Sequence, residues 1–153
     1  MIERTTTRDA SSTSAVVTDD QIGQDFLSQT GDVRTLVVDD QEAFRDALRH
    51  LIAAAPGFTL VGEACSGEDA ITAVETLSPS LVLMDVRMPG IGGIQAARSI
   101  AERHPELMIV LISVHGQEEL SPELIEHGHP TAFVLKQNLR PHVLRELWDA
   151  RQS

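Results

Sequence analysis

Five short apolar runs alternate with five stretches of helical periodicity from residue 34 onward, and that alternation admits few folds. The runs are residues 35–38, 58–64, 81–84, 108–112 and 131–135. They read as continuous hydrophobic segments rather than as in–out alternation, which is the pattern of a parallel sheet covered on both faces. Between them lie helical stripes. Phe44, Ala47, Leu48, Leu51 and Ile52 fall at i, i+3, i+4, i+7 and i+8. Ile71, Val74 and Leu77 form a second stripe, and Ile94, Ala97, Ile100 and Ala101 a third. Residues 117–127 predict a weaker helix with Pro122 inside it and Gly128 as its C-cap. Residues 141–151 predict the last, with Val143, Leu144, Leu147 and Trp148 inward. Pro56-Gly57, Ser78-Pro79-Ser80 and Pro89-Gly90 punctuate the pattern, and Ser66 opens a capping box. Right-handed crossovers then predict a doubly wound α/β sheet.

Residues 1–33 differ. Seven of the first fourteen residues are Ser or Thr, and apolar residues are sparse. Such a segment buries too little surface to offset its ordering entropy, so a disordered tail is expected, with at most a helical turn near Ile22 and Phe26. Residues 34–153 form the expected folded domain.

Composition excludes several functions. The chain holds 23 acids against 12 Lys and Arg and only five aromatic rings, so a nucleic-acid surface is not expected. No run reaches the ~18 apolar residues of a membrane span, and the N-terminus lacks a signal-peptide layout. A cytoplasmic protein, monomeric or weakly dimeric, is the expectation. The one cysteine, Cys65, reads as a small buried hydrophobe. His127 and His129 lack a third ligand for a metal, His115 reads as a loop histidine, and Trp148 reads as packing.

The chemistry collects at the strand ends. In a doubly wound sheet, ligands bind beyond the carboxyl ends of the strands where strand order reverses. The first run ends in Asp39-Asp40, the third in Asp85, the fourth in Ser113 and the fifth in Lys136. Lys136 is also the only lysine among the basic residues. Two carboxylates 4 Å apart repel by about 4 kcal/mol at an effective dielectric of ~20. Three crowded acids therefore need a cation, and an all-oxygen site with few protein ligands suits Mg²⁺. The same ion would neutralise an incoming phosphoryl group, with Asp85 as nucleophile and Ser113 and Lys136 holding the transferred oxygens.

The segments LVVDD (36–40), LVLMDVRMPGIGG (81–93), IVLIS (109–113) and AFVLK (132–136) closely resemble the receiver domain of two-component response regulators, over residues 34–150. The resemblance implies a flavodoxin-like (βα)₅ fold of sheet order 2-1-3-4-5. It implies Asp39 and Asp40 as the acidic pair serving Mg²⁺, Asp85 as phosphoacceptor, and the carbonyl of Arg87 as a further metal ligand. Ser113 and Lys136 would contact the phosphoryl group, and Phe133 would be the switch aromatic coupled to Ser113. A sensor histidine kinase or a histidine phosphotransfer protein would be the donor. An unidentified protein would bind the face of the fourth helix, fifth strand and last helix. Such a protein would act as a switch rather than as a conventional turnover enzyme.

There are departures. Gln137 follows Lys136 where many members have proline, which together with DVRMPG leans toward the NarL/FixJ-type branch. Members of that branch usually continue into a helix-turn-helix domain; this chain reads as a stand-alone receiver. Val114 is bulkier than the residue often found after Ser113 and narrows access to Asp85, and residues 127–131 run one residue long. Two alternatives follow: a pseudo-receiver that binds partners without chemistry, and a haloacid-dehalogenase-type phosphatase. The latter places a second acid two residues after its nucleophile, where this chain has Arg87.

Overall fold

A computed structural model describes residues 32–114 and 131–151. The elements run β1 (Val33–Val38), α1 (Glu42–Ala53), β2 (Phe58–Ala64), α2 (Gly67–Leu77), β3 (Leu81–Asp85), α3 (Gly92–Arg103), β4 (Met108–Ser113), β5 (Thr131–Leu135) and α4 (Pro141–Ala150). The five strands make one sheet in the order β2-β1-β3-β4-β5, and every pairing is parallel. This is the flavodoxin-like order expected from the sequence. The helix expected over 117–127, with Pro122, His115, His127 and His129, lies outside the described residues, as do residues 1–31 of the expected tail. Val33, placed in that tail by the sequence reading, is instead the first residue of β1.

The strands divide their side chains by parity, as a pleat requires. Leu36, Val38, Val82, Met84, Ile109 and Leu111 face one core with Ala70 and Val74 of α2 and Ala96, Ala97 and Ile100 of α3. Val33, Val37, Leu81, Leu83, Val110 and Ile112 face the other with Leu48 and Ile52 of α1 and Leu144 of α4. All residues of β3 are buried, which is why it reads as an unbroken apolar run.

Local signals explain the boundaries. Ser66 caps α2, its Oγ accepting from the Asp69 N–H at 3.0 Å. Pro141 opens α4 at a position where its missing N–H costs nothing. Arg34 points outward from β1, and its guanidinium donates to the carbonyls of Leu77 and Ser78 that end α2.

Two expectations are corrected. Ala47 is exposed, not inward. At ~100° per residue it sits roughly 90° from the centre of the stripe set by Phe44, Leu48, Leu51 and Ile52. Cys65 is exposed as well, because it lies past the end of β2 at the mouth of the loop into α2, with its Sγ 3.5 Å from Asp69 Oδ2.

Candidate functional site

Parity and register bring the chemistry together. Val38 pairs with Met84 and Asp85 with Ile112, so Asp39 and Asp85 stand side by side at the carboxyl edge. Ser113 pairs with Leu135, placing Lys136 one step beyond it. Asp39, Asp85 and Lys136 share the parity of the α1/α4 core, so their side chains lean to the same side of the sheet edge. Asp39, Asp40 and Asp85 each offer a carboxylate oxygen within 4.8 Å of the others. Lys136 Nζ lies 3.6 Å from Asp39 Oδ2 and 3.8 Å from Asp85 Oδ2. Asp40, Gln41, Asp85, Arg87, Ser113, Val114 and Lys136 line a cavity of about 230 Å³ there. Val114 is 52% exposed on its rim.

Asp39 is wholly buried. Its Oδ1 accepts from the Gln41 N–H at 2.8 Å, closing a local turn, and Arg45 Nη1 donates to its carbonyl at 2.7 Å. Its Oδ2 has no hydrogen-bond partner among the described residues. A buried carboxylate oxygen without a donor is costly, and a cation among the three acids would satisfy it. The donor set is all oxygen and mostly anionic, the chemistry of a hard divalent ion. The residues therefore fit the ion that the sequence implies.

Asp85 is 7% exposed, and its carboxyl is pushed up to about 6. Burial is the main cause and the Asp39 charge the next; the Lys136 ammonium and a hydrogen bond from the Arg87 backbone act in the opposite direction. The metal-free cluster thus makes Asp85 harder to ionise than an ordinary carboxyl.

The loop after Asp85 is fixed from both ends. The Val86 N–H donates to Ile112 O, and the Gly93 N–H to Val86 O, both at 2.9 Å. A β-carbon on Gly93 would stand 2.1 Å from Asp85 O, so only glycine lets α3 start this close to the strand. Gly90 turns the loop at φ +84, where glycine carries no steric cost.

Of the residues singled out in the sequence, Asp39, Asp40, Asp85, Arg87, Ser113 and Lys136 gather at this edge. The Arg87 side chain is exposed. Phe133, on β5 two strands from Asp85 and of the opposite parity to Lys136, packs half-buried against the α2/α3 core. Sequence reading missed two neighbours. Arg45 of α1 carries no sequence signal of its own and reaches the Asp39 carbonyl. Phe44 packs against the α1/α4 core as its stripe position predicts, and its ring centroid also lies 4.1 Å from Lys136 Nζ. Their position in the first turn after Asp39-Asp40 was the signal available.

An acidic triad and one ammonium at the switch point of a 2-1-3-4-5 sheet define a receiver. The chain belongs to the response regulator receiver domain family, whose model matches residues 35–147. It is 38% identical over 96 residues to the response regulator GacA of Pseudomonas viridiflava, a match covering 63% of this chain and 45% of that protein. The response regulator UvrY of Escherichia coli K12 is also 38% identical over 96 residues, covering 63% of this chain and 44% of that protein. The chain thus spans less than half the length of these curated relatives. Among solved structures, the signal receiver domain of NarL from Mycobacterium tuberculosis superposes with a TM-score of 0.69 at 27% identity, over 80% of this chain and 98% of that one. The response regulator domain of Thermotoga maritima CheB gives 0.68 at 26%, over 80% and 98%. Among the described residues no helix is long and apolar enough to cross a membrane.

Proposed function

We propose that this receiver, residues 34–153, accepts a phosphoryl group on Asp85 from a histidine kinase or a histidine phosphotransfer protein in an Mg²⁺-dependent step. The observation that carries this reading is the meeting of Asp39, Asp40 and Asp85 with Lys136 around one open cavity. The carboxylates of Asp39, Asp40 and Asp85 would hold Mg²⁺, with the Arg87 carbonyl as a further ligand. Bound there, the ion supplies charge neutralisation for the transferring group and a fixed template.

The residues of the chain do the rest. An ionised Asp85 oxygen attacks phosphorus and forms the acyl phosphate bond. The phosphorus–nitrogen bond of the donor breaks, and its electron pair returns to the imidazole. Lys136 Nζ and Ser113 Oγ bind the transferred oxygens. Hydrolysis reverses the modification: water attacks phosphorus and the Asp85 carboxylate leaves. With Ser113 drawn toward the phosphoryl oxygens, Phe133 repacks and alters the face of β5 and α4 for a downstream protein.

Incubation with Mg²⁺ and acetyl phosphate, followed by intact mass measurement, tests this. The wild-type chain is expected to gain one phosphoryl group and Asp85→Asn none. No gain on wild type, or equal gain on both, would overturn the proposal.

A further inference from the structure

We infer that Phe44 is a positioning residue that holds the Lys136 ammonium ready for the phosphoryl group, a role that rests on the phosphotransfer reading above. The ammonium stands 3.6 Å and 3.8 Å from its two carboxylate neighbours. Charge-assisted N–H···O bonds close to about 2.7–2.9 Å, so it is drawn to both acids and bonded to neither. Its close neighbour on another side is the face of Phe44, 4.1 Å from ring centroid to Nζ. That distance is well inside the ~6 Å reach of a cation–π contact.

The ring has two properties that a polar neighbour lacks. It attracts the ammonium without accepting a proton. It also presents no lone pair that would compete with an incoming anion. A four-carbon stem is flexible, and without the ring the ammonium would settle onto Asp39 or Asp85. It would then have to be pulled away before it could meet a phosphoryl oxygen. Phe44 is itself fixed, half-buried against the α1/α4 core on the first turns of α1. The ring therefore gives Lys136 a set position between the two acids.

The sequence supplies the probe. Lys136 is the only lysine of the 153 residues, so lysine labelled with ¹³C and ¹⁵N reports this side chain alone. In wild type the Hε protons are expected upfield of free lysine because of the ring current. Phe44→Leu keeps bulk and removes the π face; the shift should vanish in it and persist in Phe44→Tyr. At saturating Mg²⁺, Phe44→Leu is expected to slow acetyl phosphate labelling by about 2- to 30-fold, the range of a cation–π contact. Its Mg²⁺ affinity and thermal transition should stay near wild type, and Phe44→Tyr should restore the rate.

Unshifted Hε protons in wild type would overturn the inference. So would wild-type labelling by Phe44→Leu, or labelling by Phe44→Tyr as slow as by Phe44→Leu. A wild-type chain that takes no phosphate would overturn the phosphotransfer reading and this role together. A wild-type chain that labels normally, beside an equally fast Phe44→Leu, would overturn this role alone.

Discussion

Asp85 occupies a position that the metal-free fold tolerates poorly. Its ordinary carboxyl value lies near 4, and the fold raises it to about 6. Between those two values the native state binds more protons than the unfolded chain, so stability falls as pH rises through that window. Above it the destabilisation is complete and amounts to about 3 kcal/mol at most, at ~1.4 kcal/mol per unit. Asp85→Asn should therefore stabilise the metal-free protein by about 1–3 kcal/mol at pH 8 and by little at pH 4. Urea unfolding at the two pH values reads this directly; an equal effect at both would show that the carboxylate is not strained by its neighbours. The same strain leaves the carboxylate poorly satisfied until a cation or a phosphoryl group arrives. Asp39 adds to it, with one buried oxygen bonded to Gln41 and the other without a donor among the described residues.

Two positions at the helix starts separate structural from functional cost. Ser66→Ala removes the α2 cap and should cost about 1 kcal/mol, leaving phosphate uptake unchanged. Gly93→Ala forces a β-carbon onto the Asp85 carbonyl at the start of α3, and should cost about 3 kcal/mol, the upper end of overpacking. It should also slow labelling, because the strand end that carries Asp85 must move. Chemical denaturation beside a labelling assay distinguishes the two, and equal costs would contradict the packing described. The elements themselves were legible in the sequence because each carried a periodic signal and a stop. Phe58–Ala64 and Thr131–Leu135 fall where their apolar runs do. What the sequence left open was local. Strand β1 begins at Val33 because pairing with Phe58 extends it past the apolar run. The turn of 3₁₀ helix at Lys136–Asn138 carries no periodicity at all. Composition and spacing do not say where a stripe or a strand stops being covered, which is why Cys65 and Ala47 are exposed against expectation. The acids and Lys136 were legible because strand ends are, whereas Phe44 and Arg45 touch the site only through the turn that follows β1.

The whole domain places its chemistry where two hydrophobic cores end and only the sheet edge remains. An acidic pocket built into that edge opposes folding until it is neutralised, so metal binding and global stability are linked. Mg²⁺ at a hundred times its dissociation constant should raise the unfolding free energy by about 2.7 kcal/mol. Asp39→Asn should raise the stability of the metal-free chain and lose that increment, as thermal melts with and without Mg²⁺ would show; a full Mg²⁺ increment in Asp39→Asn would remove that residue from the metal site. The central claim is that residues from four separate strand ends act on one phosphoryl group. A crystal structure with Mg²⁺ and beryllofluoride, a phosphoryl mimic, tests it most directly. The account predicts beryllium bonded to an Asp85 oxygen, the ion held by Asp39, Asp40, Asp85 and the Arg87 carbonyl, and Lys136 Nζ and Ser113 Oγ on the fluorides. Beryllofluoride on another carboxylate, or Lys136 turned away from it, would contradict the account.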